Sequence, residues 1–102
     1  MARYRIRYRL AAVEELQEAI DWYSRRDLAV GQRLRATIRA KIVDLRTHPL
    51  VHTADADSVR QALVRPFPYY VVYRVNGSVV EILAIAHTSR RPGYWRKRLH
   101  DS

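Results

Sequence analysis

The chain has no cysteine, which excludes disulfides and thiolate metal sites. It has almost no lysine: Lys41 and Lys97 stand against 17 arginines. Negative charge is scarce too, with 10 Asp and Glu against 19 Lys and Arg, a net of +9. No apolar run approaches the roughly 18 residues of a membrane span. The opening MARYRIRYRL lacks a hydrophobic signal core, so a cytoplasmic protein is expected. Glycine numbers only three and forms no phosphate-cradling loop, and no G-x-S-x-G sequence occurs. His48 and His52 are separated by Pro49 and lack a third ligand, while Asp55 and Asp57 lack the glycine and distal glutamate of a calcium loop. No metal or cofactor is expected.

What is present describes a folded polyanion binder. A hydrophobic fraction of 48% in 102 residues suits one domain, spanning 1–102, with one sheet layer against one helix layer. Arginine carries nearly all the positive charge, and its planar fork matches phosphates and carboxylates bidentately. The excess points to nucleic acid, an acidic protein partner, or both.

The periodicity orders the elements. Arg3, Arg5, Arg7 and Arg9 alternate with Tyr4, Ile6, Tyr8 and Leu10, which makes a strand with one cationic and one apolar face. The spacing then changes. Val13, Leu16, Ile20 and Tyr23 define an amphipathic helix over roughly 11–24, and Leu34, Ile38, Ile42 and Leu45 a second over about 28–46. Ser24–Asp27 is the break between them, and the short link implies an antiparallel helical hairpin. Residues 48–58 read as a surface loop and Val59–Arg65 as a strand, broken by Pro66 and Pro68. Tyr69–Val75, the Asn76-Gly77 turn and Ser78–His87 form a β-hairpin. The fold class is α+β in the order β-α-α-β-β-β: an antiparallel sheet packed on a helical hairpin, with a short basic C-terminal tail.

A two-residue turn at Asn76-Gly77 pairs Val75 with Ser78, Tyr73 with Val80 and Val71 with Ile82. The face with Tyr69, Val71, Tyr73, Val80, Ile82, Ala84 and Ala86 carries no charge and should meet the helices. The other face carries Tyr70, Arg74, Glu81 and His87 and should be open. Arg5 and Arg7 join it, Arg74 lies diagonal to Glu81, and the basic tail borders it.

Local chemistry suggests two uses for this region. His87 leaves a strand end and is followed by Arg90, Arg91, Tyr94 and Trp95. A histidine for proton transfer, arginines for phosphorane charge and an aromatic ring for base stacking meet the needs of metal-free RNA cleavage. Arg65, before Pro66, would stand near His87 if pairing extended that far. The other reading is structural: His87 is a strand-end hydrogen-bonder, the arginines are solvated, and Trp95 pins the tail to the core.

The segments AIDWYSRR, GQRL, RPFPYYVVYRV, the NG turn and ILAIAHTSRRPGYWRKR stand in this order. Together they resemble the RelE/ParE superfamily of toxins from bacterial type II toxin–antitoxin systems. The resemblance implies the same β-α-α-β-β-β fold and an acidic cognate antitoxin as partner. It implies one of two activities: ribosome-associated mRNA cleavage without metal, or poisoning of DNA gyrase with no chemistry. For the first, Arg65, His87, Arg90, Arg91 and Tyr94 are the candidate catalytic residues. Arg5, Arg7, Tyr70, Arg74, Trp95, Arg96, Lys97 and Arg98 are the candidates for binding nucleic acid or the target. Gln61, Leu63 and Tyr70 stand where the ribosome-dependent group carries lysines and an arginine. A non-toxic RNA-binding module or degenerate toxin is the alternative.

Overall fold

The alternation near the N-terminus forms β1, Arg5–Tyr8, in the computed structural model. The structure describes residues 3–100; Met1, Ala2, Asp101 and Ser102, the ends of the expected single domain, lie outside them. Two helices follow, α1 (Leu10–Arg26) and α2 (Leu28–Leu45). The expected helical hairpin is present, and its break is the single residue Asp27. The Asp27 carboxylate accepts from the Ala29 N–H at 3.0 Å and caps α2, satisfying one of the free donors of its first turn. Gly31 then lies within α2. A Cβ there would stand 1.9 Å from the Ser24 hydroxyl oxygen, so glycine permits the close crossing of the two helices.

Strands β2 (Val59–Leu63), β3 (Tyr69–Asn76) and β4 (Val79–His87) form an antiparallel meander. β1 joins the far side of β4 in parallel, for a sheet order β1-β4-β3-β2. This is the expected β-α-α-β-β-β arrangement, an antiparallel sheet on a helical hairpin, with one parallel edge strand added.

The apolar line expected on α2 is buried throughout, from Leu34 to Leu45. On α1, Leu16, Ile20 and Tyr23 of the expected line pack into the core, and Val13 departs from it. Ala12, Ala19 and Ile20 are buried, whereas Val13 is 44% exposed. Alanines at the contact let the helix lie close to β4, and hydrophobicity alone gave Val13 too much weight.

The hairpin register differs from expectation in two places. The turn is centred on Gly77 and Ser78, so Asn76 pairs with Val79 and Arg74 lies directly opposite Glu81. Gly77 has φ +60°, the left-handed region that glycine enters without steric cost. Moving the turn by one residue displaces both strands together, so the faces near it are kept: Tyr73, Val80 and Ile82 meet the helices. The second difference is a bulge. Tyr73 faces Ile82 but Val72 faces Ala84, leaving Leu83 as the extra residue. Beyond it β4 changes face. Ile85 joins the helix-side core, while Ala84 and Ala86 join the opposite side.

That opposite side is not open. Val59, Val72, Leu83, Ala84 and Ala86 form a second apolar cluster, closed by Trp95 from the tail with Tyr94 and Leu99 beside it. Trp95 is 2% exposed. The tail ends in one short 3-10 turn, Arg96–Leu99. Among the described residues no helix is long and apolar enough to cross a membrane.

Candidate functional site

The bulge relocates His87. Its partner across the sheet is Tyr69, and the two rings meet edge-on at 5.1 Å. His87 therefore stands on the helix-side parity at the end of β4, not on the face of Arg74 and Tyr70. It lies on a ridge between two clefts, with Arg90. One cleft, about 380 Å³, opens towards α1 and is walled by Glu15, Glu18, Trp22, Tyr23 and Tyr69. The other, about 600 Å³, has Gln61, Tyr70, Thr88, Arg91, Gly93, Tyr94, Trp95 and Arg96 around it.

The histidine is held in one orientation. The Ser89 backbone N–H donates to His87 Nδ1 at 3.0 Å, and the Ser89 hydroxyl lies 2.8 Å from the same atom. An N–H donor requires a lone pair on Nδ1, so the neutral ring carries its proton on Nε2. In this arrangement Nε2 is a hydrogen-bond donor. It has no free lone pair with which to take a proton.

The neighbouring candidates are engaged with one another. The Tyr94 hydroxyl donates to Glu15 Oε2 at 2.7 Å, and its ring lies 3.8 Å from the Arg90 guanidinium. Burial pushes the Tyr94 hydroxyl well above its ordinary range, and the Glu15 hydrogen bond and charge push it further. Arg98 donates to both Glu15 oxygens, each at 3.0 Å, and to the Leu83 carbonyl at 2.9 Å. Its hydrogen bond with Glu15 holds it charged. Arg96 reaches Asp57 at 2.7 Å and Asp55 at 3.0 Å. At Asp55, slight burial acts upward. The Val59 N–H, Arg96 and the Asp57 N–H outweigh it and hold the carboxyl below its usual range.

The other expected residues lie elsewhere. Arg65 is exposed beside Pro66 and lines neither cleft, because the strand pairing meets His87 at Tyr69 instead of Pro66. Arg74 donates to Glu81 at 2.8 Å, and Arg9 reaches the other Glu81 oxygen at 3.4 Å. Arg5 and Arg7 are exposed on β1, with Arg7 opposite Glu81. Lys97 and Arg91 are exposed. Trp95 is buried on the sheet and unavailable for stacking on a base. The structure therefore gathers Tyr70, His87, Arg90, Arg91, Tyr94, Trp95 and Arg96 around one cleft. It leaves Arg5, Arg7, Arg65, Arg74, Lys97 and Arg98 outside it.

Sequence reading missed Glu15, which looked like a solvated helix acid. Its signal is the spacing Ala12, Glu15, Ala19, which places it on the small-residue stripe that faces the sheet. β1 pairs with β4 only as far as Ile82, so the outer edge of β4 has no strand partner from Leu83 onward. Glu15 accepts from the Ile85 N–H at 3.1 Å while Arg98 donates to Leu83. Two side chains thus complete the edge of the sheet, and no described buried side-chain nitrogen or oxygen is left unsatisfied.

Residues 4–92 match the family described as "ParE toxin of type II toxin-antitoxin system, parDE". The chain belongs to this ParE toxin family. As a ParE family member it is the toxin of a toxin–antitoxin pair, with a cognate antitoxin as its partner. Among solved structures, the chromosomal ParDE system from P. aeruginosa is similar with a TM-score of 0.74 at 17% identity, covering 84% of this chain and 97% of that one. The RelBE2 toxin–antitoxin complex from Mycobacterium tuberculosis is similar with a TM-score of 0.61 at 22% identity, covering 84% and 99%. No curated protein sequence matches significantly. These likenesses establish a shared ParE/RelE fold. The relatives are matched almost end to end, while part of this ParE-family chain has no counterpart in them.

Proposed function

We propose that the chain arrests growth by binding DNA gyrase and trapping it on DNA, without chemistry of its own, in the cytoplasm. An acidic antitoxin masks it until release. One observation carries this reading over ribosome-associated mRNA cleavage: His87 and Tyr94, the proton-handling groups that cleavage would need, are already committed to internal hydrogen bonds. His87 presents a proton on Nε2 where a base would present a lone pair. The Tyr94 hydroxyl is given to Glu15, Trp95 is 2% exposed, and Arg65 lines neither cleft. The ParE match supports the same side. Exposed cations remain on several elements: Arg5 and Arg7 on β1, Arg91 after β4, and Lys97 in the tail. They suit a surface that meets a polyanionic target through charge.

Two assays on the purified protein test this. In a supercoiling reaction it should accumulate gyrase covalently linked to cut DNA, and the His87→Ala variant should do so within about twofold of the parent. On translating ribosomes it should leave mRNA intact. Site-specific mRNA cuts that vanish in His87→Ala would overturn the proposal. Normal growth on induction of stable protein would favour a degenerate toxin.

A further inference from the structure

The C-terminal segment Gly93–Leu99 is attached to the rest of the chain differently from the strands and helices. Its backbone hydrogen bonds are local: Tyr94 to Arg91, Arg96 to Gly93 and Arg98 to Trp95. No described backbone bond joins it to a strand or helix. It is held by side chains alone, at three points. Arg96 grips Asp55 and Asp57 in the loop before β2. Arg98 and Tyr94 grip Glu15 on α1, and Arg98 also holds the Leu83 carbonyl. Between these ends Trp95 lies on Val59, Val72, Leu83 and Ala84. The segment also lies beyond Pro92, where the family match stops.

We propose that Gly93–Leu99 is a strap that opens as a unit while the sheet and helices stay folded. Closed, it covers the second apolar face of the sheet and walls the cleft that Gln61 and Tyr70 line. Open, it exposes Ala84 and Val72, widens that cleft and leaves the β4 edge at Leu83 without its side-chain donor. The physical reason is the type of bond at each end. A strand can leave a sheet only by breaking a ladder of cooperative backbone bonds, whereas this strap must break side-chain contacts and bury one indole less. The outer clasp is the weaker of the two ionic ends. The Arg96 side chain is 46% exposed and that of Asp57 is 57% exposed, so salt screens it. The Glu15–Arg98 clasp is nearly closed to solvent, at 12% and 13%, and sets the resting state. Local opening of this kind lies below the free energy of global unfolding. The strap is independent of which target the toxin takes.

The absence of cysteine makes a direct test available. Ala84 and Ala62 are each 0% exposed, the first under the strap and the second in the helix-side core. Thiol labelling of the full-length A84C and A62C proteins under native conditions reports the two sides separately. The A84C thiol should react at least about tenfold faster than the A62C thiol. Adding R96A, or raising the salt, should speed the A84C reaction several-fold and leave the A62C rate unchanged. Equal labelling rates, or an R96A effect of the same size at both positions, would overturn the strap, because the segment would then leave only with the whole core. Far-ultraviolet circular dichroism of each variant checks that the fold is kept. Should A84C disturb the packing beneath Trp95, acrylamide quenching of Trp95 fluorescence in a W22F background gives the same comparison. Quenching that increases with salt at constant circular dichroism is the expected result, and quenching that follows unfolding overturns it.

Discussion

The Tyr94 hydroxyl donates to the Glu15 carboxylate at 2.7 Å, across 79 residues of chain. With Arg98 on the same carboxylate and the Ile85 N–H beside it, four donors from the end of the chain and from β4 meet one acid on α1. The Tyr94 hydroxyl thus fastens the tail to α1.

Tyr94→Phe removes one donor and leaves Glu15 with Arg98 and Ile85. The loss should be about 1.5–3 kcal/mol, the range for one hydrogen bond to a charged group. Urea denaturation measures it. Growth arrest by the variant should persist, since the hydroxyl has no chemical step in the proposed function. Arrest abolished in a stable, folded Tyr94→Phe protein would return the hydroxyl to the active surface.

Tyr73 makes stability sensitive to alkali. It is fully buried, its hydroxyl donates to the Pro49 carbonyl at 2.6 Å, and burial raises it from 10.0 to about 12 against a small opposing effect of Arg60. A group raised in the folded state contributes stability that is whole below its unfolded value and is lost as pH climbs towards the folded one. The contribution is about 2–3 kcal/mol at 1.36 kcal/mol per unit and fades between about pH 10 and 12. Tyr73→Phe should be less stable at pH 7 and should show a shallower decline above pH 10. Tyr94 is raised by burial in the same sense and adds to the decline that remains. Thermal melts from pH 8 to 11.5 compare the slopes.

Gly31→Ala adds a Cβ that meets the Ser24 oxygen at 1.9 Å and the Ser24 Cα at 3.0 Å. Alanine is the better helix former, yet the overlap with the facing helix should dominate and cost roughly 1–3 kcal/mol. Ser24→Gly in the same chain removes the overlapping side chain and should recover part of the loss. A double-mutant cycle from thermal denaturation would show positive coupling between the two sites; additive effects would mean the helices do not cross as described.

The two tryptophans should behave oppositely. Trp95→Ala empties a buried site and should cost about 3–5 kcal/mol. Trp22 is 45% exposed beneath Arg26, 3.6 Å from its ring centre, and Trp22→Ala should cost about 1 kcal/mol or less. If Trp22 belongs to a partner-binding surface, its loss should weaken antitoxin binding instead, which titration calorimetry detects.

The order of elements, the helical hairpin and the cationic parity of β1 were legible in the sequence, because each rests on local periodicity. The family resemblance was legible too, from short segments in order. Arg74 opposite Glu81 followed from strand parity to within one residue of turn position. What the sequence by itself determined was therefore the elements and their apolar faces up to the bulge in β4. The tertiary structure decided which of those faces is covered. A single extra residue, Leu83, carries no signature in a run of apolar residues, yet it turns His87 to the other side of the sheet. The fate of the basic tail was equally unreadable, since its arginines bind acids 39 to 83 positions away in the chain. Periodicity reports neighbours along the chain. The partners that decide between solvent-facing charge, catalytic group and fastening are brought together only by the fold.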